Sequence, residues 1–324
     1  MKAIVRTKYG SPDVLELRET DKPNPKDNQV LIKVHAASVN PLDWHILRGK
    51  PFLVRLMGFG LLKPKHQILG ADIAGRVEAV GGSVTQFKVD DEVFGSAMGG
   101  FAEYACLRED KLVLKPAAIT FEQAAAVPVA GLTALQGLRD KGSVQPGQQV
   151  LINGASGGVG TFAVQIAKAL GSHVTGVCSG RNLEMVRSIG ADHVIDYTKE
   201  DFWRSGNKYD LIVDNAAYYS IRKPLHALTP TGTYVLIGGS TSTASLLQTL
   251  ILKPLFSRKA GRRVVSFMAN VNKTDLALLK ELLEAGKVVP VIDRKYSLSE
   301  TPQAIRYVEE GHARGKVVIT ICER

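Results

Sequence analysis

The chain is poor in the residues that build several common classes of protein. Its 324 residues include only three cysteines, which lie too far apart for a disulfide framework or a paired metal-ligand motif. No apolar run reaches the length of a membrane span, and the first ten residues lack the apolar core of a signal peptide. Internal repeats and low-complexity segments are also absent. We therefore expect a globular protein of a reducing compartment, located in the cytoplasm.

Acidic residues are missing from two stretches of this chain, whose net charge is +10. Residues 44–71 contain five basic residues (lysine or arginine) and no acidic residue. Residues 215–274 contain eight basic residues and again no acidic one. Charge concentrated in this way indicates an electropositive region that faces an anionic cofactor, substrate or surface. Aromatic residues are only 6% of the chain and interleave little with these basic residues, which disfavours nucleic-acid binding.

What the chain does contain is a nucleotide-binding pattern. An apolar run typical of a buried parallel strand, Val150–Ile152, leads directly into a glycine-rich turn at residues 154–160. Apolar residues then recur on one face of a helix as far as Leu170. Glycines let the backbone approach a pyrophosphate, and the helix N-terminus offers free N–H groups. We expect a dinucleotide to be contacted by Ser156, Gly157, Gly158 and Val159.

The pattern of elements changes near residue 121. Residues 1–120 predict short strands separated by Gly, Pro and Asp, beginning with a hairpin around residues 10–13. Helical patterns then alternate with short apolar runs, which predicts an α/β fold with a doubly wound parallel sheet. The expected strands are Val150–Ile152, His173–Val177, His193–Ile195, Leu211–Val213, Thr233–Ile237 and Val264–Phe267. A helix at Asp275–Ala285 and a closing strand at 316–321 complete the prediction.

Six motifs in this order resemble the medium-chain dehydrogenase/reductase superfamily over nearly the whole chain. They are VNPLDWHILRG (39–49), LGADIAGRVEAVG (69–81), VPVAGLTAL (127–135), NGASGGVG (153–160), GADHVIDY (190–197) and GHARGKVVI (311–319). In detail the chain is similar to the zinc-independent quinone oxidoreductase branch, and within it GHARGKVVI and SFMA (266–269) are similar to the reticulon-interacting NADPH oxidoreductases.

The resemblance implies a domain organisation and an oligomeric state. A GroES-like, β-rich catalytic domain is expected at residues 1–123 and a Rossmann NADPH-binding domain at 124–268. A C-terminal segment, 269–324, is expected to return to the catalytic domain. The resemblance also implies a homodimer.

Zinc alcohol dehydrogenases of this superfamily take zinc ligands from the first two motifs, as a cysteine and a His-Glu pair. Here those motifs offer Val39-Asn40-Pro41 and Gly70-Ala71-Asp72, and the four-cysteine lobe for structural zinc is missing. Catalytic zinc needs three protein ligands, so we expect no metal site and disfavour a zinc alcohol dehydrogenase. Without a Lewis acid, the favoured acceptors stabilise their own negative charge, as quinones and α,β-unsaturated carbonyls do.

The residues that follow the second predicted strand of the sheet indicate NADPH. An acid about 20 residues past the glycine motif marks NAD, whereas Ser179 and Arg181 occupy this place and no acid precedes Glu184. A hydroxyl and a guanidinium suit a 2′-phosphate. Tyr197 matches the tyrosine that contacts this phosphate in related quinone oxidoreductases. The alternative is that Arg181 is a solvated loop residue and Tyr197 a strand-end residue.

Further site residues follow from position in the fold and from the resemblance. The carboxyl ends of parallel strands predict nicotinamide-end contacts from Asn215, Gly238, Phe267 and Met268. The resemblance adds His312, Ala313 and Arg314 as cofactor contacts. It also implies that Asn40, Asp43 and His45 line the nicotinamide pocket, where they are the candidates for catalysis.

The roles of these catalytic candidates stay open. His45, at a site often occupied by tyrosine in the branch, is either a proton donor or part of the pocket wall. We expect Asp43 to cap a short segment that begins at Trp44. Catalysis by orientation and desolvation, with no dominant side chain, is the third reading.

Two acid-free segments, 51–66 and 246–263, mix apolar with basic residues. They are either loops packed on the core or at a subunit contact, or a lipid-tolerant mouth that weakly contacts an anionic membrane surface. The predicted function is zinc-independent, NADPH-dependent hydride transfer to a quinone or an enone. RNA binding, or a scaffold role derived from such a reductase, is the alternative.

Overall fold

The computed structural model describes residues 1–52, 54–237 and 261–322, which belong to two compact units. The first unit comprises Met1–Leu132, Val271–Gly286 and Pro290–Arg324, and the second Thr133–Asn270 and Lys287–Val289. The expected domain limits were 123/124 and 268/269. Within the described ranges, no helix combines the length and the apolarity needed to cross a bilayer.

The first unit contains two β-sheets. The predicted hairpin is formed by two antiparallel strands, β1 (Lys2–Val5) and β2 (Glu16–Glu19). A seven-stranded sheet has the order β14-β15-β3-β4-β5-β7, with β6 also paired to β3. Its strands are β3 (Gln29–Val39), β4 (Asp72–Val80), β5 (Glu92–Ser96), β6 (Tyr104–Arg108), β7 (Leu112–Leu114), β14 (Ile292–Ser297) and β15 (Lys316–Thr320).

Strand β3 organises this sheet, because its 11 residues pair antiparallel with β15, β4 and β6. The register sets Ser38 opposite Asp72 and Val39 opposite Val317. Side chains of β3 are mostly buried and join one continuous apolar core with residues from β4, β15 and the helices. The carboxyl end of β3 and the first residues of β4 and β15 therefore meet at one place in the unit.

The helices assigned to this unit are mostly short. They are α1 (Pro41–Arg48), α2 (Phe121–Ala125), α7 (Lys273–Glu284) and α8 (Thr301–Glu309), while α3 (Pro128–Gln136) spans the limit between the units. The predicted helix at 275–285 is thus confirmed with its start at Lys273. Asn272 caps it, because its side-chain oxygen accepts a hydrogen bond of 2.8 Å from the Asp275 N–H.

The second unit contains the predicted parallel sheet. Its six strands run in the order β10-β9-β8-β11-β12-β13, and every neighbouring pair is parallel. They are β8 (Gln149–Asn153), β9 (His173–Cys178), β10 (His193–Asp196), β11 (Tyr209–Asp214), β12 (Leu228–Leu236) and β13 (Arg263–Ser266). All six expected strands are present, so the doubly wound fold is confirmed. The described helices of the unit include α4 (Gly158–Ala169), α5 (Leu183–Ser188) and α6 (Arg222–Leu225).

The strand order indicates where a ligand of this unit is expected to bind. Chain order runs outward from β8 in one direction and from β11 in the other, so the order reverses between these two strands. Ligands of doubly wound sheets bind beyond the carboxyl ends of the strands at such a switch point. The glycine turn follows β8 and Asn215 follows β11, so both lie there.

Candidate active site

The glycine turn has the backbone geometry that a bound pyrophosphate needs. Gly154 has φ of +73°, in the left-handed region that favours glycine. A Cβ on Gly160 would lie 2.0 Å from the Gly154 carbonyl oxygen, so only glycine fits at the start of the helix. Gly157 occupies the N-cap of α4 and no side chain caps the helix, so its first N–H groups suit an anion.

Predicted 2′-phosphate residues gather beyond β9 and β10. Asn182 donates hydrogen bonds of 3.1 Å to both Ser156 Oγ and Ser179 Oγ, which joins the glycine turn to the loop after β9. Arg181 is exposed in this loop. Tyr197 is 61% exposed and follows β10, and its N–H donates to the Cys178 carbonyl of β9 at 3.1 Å. The bridging role of Asn182 depends on the folded turn and has no signal in the sequence.

An acid does approach this loop, which the sequence did not reveal. Asp196, the last residue of β10, would be 2.6 Å from a Cβ on Gly180. Its carboxylate accepts hydrogen bonds of 3.0 and 2.7 Å from Thr198 N and Oγ1, and these bonds lower its pKa. The carboxylate is 8% exposed. The loop after β9 therefore has the exposed guanidinium of Arg181, and beside it lies the buried carboxylate of Asp196, which is already hydrogen-bonded to Thr198.

Asn215 lies at the switch point with an unused acceptor. Its backbone N and Nδ2 both donate to the Asn153 carbonyl at 3.1 Å, while its Oδ1 is buried and has no hydrogen-bond partner among the described residues. Because a buried acceptor left unpaired is costly, this oxygen suits an N–H or O–H of a bound ligand. The residues present thus fit a nicotinamide dinucleotide.

Asp214 holds the end of β11 in place. This buried carboxylate accepts hydrogen bonds from Tyr234 Oη at 2.6 Å, Tyr219 Oη at 2.8 Å and Asn153 Nδ2 at 2.7 Å. Burial raises its pKa and the three donors oppose that rise. The network fixes β11 against β8 and β12, so Asn215 is presented from a rigid strand end. None of these four residues has a role that could be predicted from the sequence.

The remaining predicted contacts of the second unit are Phe267, Met268 and Gly238. Phe267 is half-buried after β13, near Gly137, and Met268 is 67% exposed. Gly238 lies outside the described residues, as does most of the 246–263 segment.

In the first unit, His312, Ala313 and Arg314 form the turn between α8 and β15. Ala313 packs on the apolar core, whereas His312 and Arg314 are exposed. The Arg314 N–H donates to Asp293 Oδ2 at 2.9 Å, which anchors the turn. The turn is therefore ordered and presents two basic side chains to solvent.

The catalytic candidates sit at the start of α1, and the expected role of Asp43 is corrected. The helix begins at Pro41, not Trp44, and Asn40 is its N-cap. Asp43 lies inside the first turn and accepts from Asn40 N at 2.8 Å and Gly70 N at 3.2 Å. Proline is favourable at the first helical position, which moves the start three residues earlier. Asp43 is fully buried, and burial raises its pKa to about 7.

His45 is half-buried and stacks on Trp44. Its Nδ1 is 2.9 Å from the Lys50 carbonyl oxygen; because a carbonyl can only accept, Nδ1 carries the proton and donates this hydrogen bond. In the neutral imidazole Nε2 is then an acceptor. Burial lowers the pKa of His45 below its usual value, so the neutral ring dominates at neutral pH. His45 at neutral pH is thus poorly suited to donate a proton.

Asp72 stands where zinc members of the superfamily place a ligand, but its surroundings do not fit a metal. Its carboxylate accepts from Ser38 Oγ at 3.0 Å, Asn40 Nδ2 at 2.9 Å and Val129 N at 3.0 Å. The Lys316 ammonium lies 3.5 Å away. A zinc ion needs ligand lone pairs, whereas these groups present protons and a positive charge. Among the described residues no cluster of three or more metal-ligating side chains occurs.

Comparisons with known proteins agree with this geometry. The family profile described as "Alcohol dehydrogenase GroES-like domain" matches residues 26–117, and that described as "Zinc-binding dehydrogenase" matches residues 189–319. The chain is 35% identical to the chloroplast envelope quinone oxidoreductase homolog of Arabidopsis thaliana, over 98% of each protein. It is 36% identical to the mitochondrial NAD(P)H oxidoreductase RTN4IP1 of Mus musculus, over 99% of this chain and 89% of the relative.

A third relative and two solved structures extend the comparison. The 2-methylene-furan-3-one reductase of Solanum lycopersicum is 35% identical over 98% of this chain and 79% of its own length. The quinone oxidoreductase of Coxiella burnetii has a TM-score of 0.87 and 33% identity, and covers 99% of both chains. The Escherichia coli quinone oxidoreductase, solved with NADPH, has a TM-score of 0.83 and 26% identity over 99% of this chain and 100% of its own.

These names give no support to the RNA-binding alternative. Identity above a third over almost the full length, together with the glycine turn and the strand order, is sufficient to place the chain. It belongs to the medium-chain dehydrogenase/reductase superfamily, in the quinone oxidoreductase branch, a family of NAD(P)H-dependent oxidoreductases.

Proposed function

We propose that this chain reduces quinones and α,β-unsaturated carbonyl compounds with NADPH, without a metal ion. The observation that carries the metal-free assignment is the buried ammonium of Lys316 beside Asp72, where a metal-dependent relative holds a ligand. Names of the relatives support both acceptor classes, since they include quinone oxidoreductases and a furanone reductase.

NADPH is preferred over NADH because of the groups beyond β9 and β10. Arg181 and Tyr197 are exposed, and Ser179 Oγ lies on the hydrogen-bonded bridge from the glycine turn. A guanidinium and two hydroxyls match the charge and acceptor oxygens of a 2′-phosphate. Asp196 does not oppose this preference strongly, because its carboxylate faces Thr198 and Gly180.

The chain's own residues bind the cofactor, orient the reactants and exclude water. The uncapped start of α4 holds the pyrophosphate, and Asn215 Oδ1 accepts from the nicotinamide end. The half-buried His45 provides a partly desolvated surface for the acceptor, and the buried Asn40 and Asp43 hold the start of α1 in place. When bound, NADPH supplies a hydride to a quinone carbon or oxygen or to the β-carbon of an enone. The product anion is stabilised by its own conjugation and takes its proton from water.

The experiment is NADPH oxidation with 9,10-phenanthrenequinone and with trans-2-hexenal, each after dialysis against EDTA. Turnover with at least one acceptor, unchanged by EDTA, is expected. Tight NADPH binding without turnover of either acceptor would instead favour the scaffold alternative. Activity that EDTA removes and Zn²⁺ restores would contradict the metal-free assignment.

We also propose weak contact with an anionic membrane surface through the 51–66 segment and the adjacent Lys50. Within this segment Phe52 is 58% exposed, Leu56 60%, Leu61 51% and Leu62 87%. Lys50, Lys63 and Lys65 are exposed among them, and no acid occurs from residue 44 to residue 71. Exposed apolar side chains mixed with lysines complement a negatively charged lipid interface.

Flotation with phosphatidylglycerol-containing vesicles tests this contact. Wild type is expected to float at low salt and to be released at high salt, because surface charges are then screened. Lys63→Gln/Lys65→Gln should weaken binding about 10- to 30-fold, at roughly 1 kcal/mol per lysine. Lys26→Gln/Lys88→Gln is the matched control, since both lysines are exposed elsewhere in the same unit. Absence of wild-type binding at low salt removes the proposal.

Two further proposals concern assembly and location. The family resemblance supports a homodimer, which sedimentation at several protein concentrations tests. The cytoplasm is proposed from the low cysteine content, whereas two of the relatives are named for the chloroplast envelope and the mitochondrion. Fractionation of cells that express a tagged full-length chain tests the location.

A further inference from the structure

Lys316 is a buried lysine within the GHARGKVVI motif (311–319), and the sequence alone assigned it no role. It begins β15, and its side chain is 3% exposed. Its Nζ donates a 2.6 Å hydrogen bond to Asn40 Oδ1 and lies 3.5 Å from Asp72 Oδ2. The three residues come from the junctions of β15, β3 and β4, which the register of the sheet holds side by side.

These contacts hold the Asn40 amide from both ends. Its oxygen accepts from the Lys316 ammonium, and its Nδ2 donates to Asp72 Oδ2 at 2.9 Å. The reversed amide would set an NH₂ group against an ammonium and an oxygen against a carboxylate, so one orientation is enforced. Asn40 N–H donates in addition to Asp43. The 2% exposed Asn40 side chain is thus fixed by two charges of opposite sign.

Fold stability alone does not explain a charged pair at this place. Desolvation of two buried ions offsets most of their attraction, and well-packed apolar residues serve equally well in many cores. Burial lowers the pKa of Lys316, which reflects the same desolvation. A buried ion pair whose shared partner is a candidate catalytic residue fits a role in positioning.

We propose that Lys316 is a positioning residue for the reduction: paired with Asp72, it fixes the orientation of the Asn40 amide beside the acceptor. The inference rests on the proposed function. Lys316 acts through Asn40 and does not itself contact the acceptor.

Lys316→Met tests the role, with Lys115→Met as the matched control. Lys115 is also buried, 5% exposed, and pairs with Glu92 at 3.0 Å in the same unit. Both variants should lower the melting temperature. Only Lys316→Met should lower kcat, by about 10- to 100-fold, because misplaced catalytic groups have effects of this size. NADPH affinity, measured by fluorescence titration, should stay within about threefold for both.

A double-mutant cycle separates positioning from a structural role. Asn40→Ala should lower kcat in the wild type but have little further effect in Lys316→Met, because the two residues act as one unit. Lys316→Arg keeps a cation that can donate to Asn40 and should restore most of kcat. A crystal structure of Lys316→Met should show the Asn40 side chain displaced or reversed.

The outcomes separate the failure of this inference from failure of the proposed function. A wild type that turns over no acceptor refutes the proposed function. If the wild type is active, two results overturn the inference. One is a loss of kcat in Lys316→Met no greater than that in Lys115→Met. The other is a double variant in which the kcat losses of Lys316→Met and Asn40→Ala multiply. Should Lys316→Met not fold, Lys316→Gln replaces it, with an expected loss of about tenfold because the shorter side chain cannot keep its bond to Asn40.

Discussion

At the scale of single residues, the protonation state of His45 limits its chemistry. Its ring N–H is used by the Lys50 carbonyl, and burial lowers its pKa. In the neutral ring Nε2 carries no proton and can only accept a hydrogen bond. The proton that completes the reduction at neutral pH must therefore come from a group other than His45. Water can protonate the conjugated anion that the reduction leaves.

His45→Gln should therefore keep kcat at neutral pH within about threefold, since general acid catalysis contributes about 100-fold or more where it operates. The measurement is steady-state quinone reduction, with melting temperature as the check on folding. A loss above 100-fold in a stable variant, with wild-type kcat falling as pH rises through the histidine pKa, would identify His45 as an obligatory donor.

Arg181 is predicted to select the cofactor. Arg181→Met should raise KM for NADPH about tenfold and leave KM for NADH nearly unchanged, because only NADPH carries the 2′-phosphate. Arg204→Met is the control, since Arg204 is another exposed arginine of the same unit, 78% exposed. Equal effects on the two cofactors would contradict the assignment of Arg181 to the phosphate.

The sequence predicts site residues that are close to a motif and misses those that depend on sheet register. Ser156 and Arg181 could be predicted as contacts because the glycine turn and the end of the strand are recognisable in the local sequence. Lys316 was missed because 276 positions separate it from Asn40, and only the pairing of β15 with β3 joins them. Asp196 was missed for the same reason, as it approaches the loop after β9 from the neighbouring strand.

At the scale of elements, the turn between β8 and α4 depends on two glycines for different reasons. A Cβ on Gly160 would lie 2.0 Å from the Gly154 carbonyl oxygen, inside a packed turn. Gly157 has φ of −82°, and a Cβ there would lie 3.5 Å from the same oxygen, which is an ordinary contact. Substitution of Gly160 should therefore affect folding, whereas substitution of Gly157 should affect ligand binding.

Gly160→Ala is predicted to lower the free energy of unfolding by about 1–3 kcal/mol, as overpacking does. Gly157→Ala should keep the stability of the wild type and weaken NADPH binding, because its Cβ would stand at the start of α4. Urea denaturation and fluorescence titration give the two readouts. Equal stability of the two variants would show that the turn relaxes around the added methyl group.

Helix α1 carries a carboxyl group whose ionisation opposes folding. Burial raises the pKa of Asp43 to about 7. The native state therefore binds more protons than the unfolded chain between pH about 4 and about 7, and the contribution of Asp43 to stability falls as pH rises through this window. The neighbouring Asp72 adds to the rise, while Lys316 and the two N–H donors oppose it.

Asp43→Asn should remove this part of the pH dependence. The variant is expected to be less stable overall, because an amide cannot accept from both Asn40 N–H and Gly70 N–H. Its free energy of unfolding should decline less than that of wild type between pH about 4 and about 7. Denaturant titrations across this range measure the two slopes, and identical slopes would contradict the raised pKa.

At the scale of the whole molecule, the parallel sheet was the part most open to prediction. Strands buried on both faces are continuous apolar runs, and six of them alternating with helical patterns leave few topologies. The mixed sheet of the first unit was less accessible, because β14 and β15 come from the C-terminal part of the chain and pair beside β3. Long-range pairing of this kind leaves no local signal.

The whole account depends on hydride transfer from NADPH to a conjugated acceptor. The most direct test is to incubate the enzyme with trans-2-hexenal and NADPH deuterated at C4 on one face, and separately on the other, and to analyse the product by mass spectrometry and NMR. The account predicts hexanal with deuterium at the β-carbon from only one of the two labelled cofactors. No hexanal, or hexanal whose β-carbon carries deuterium from neither cofactor, together with no oxidation of NADPH by a quinone, would contradict it.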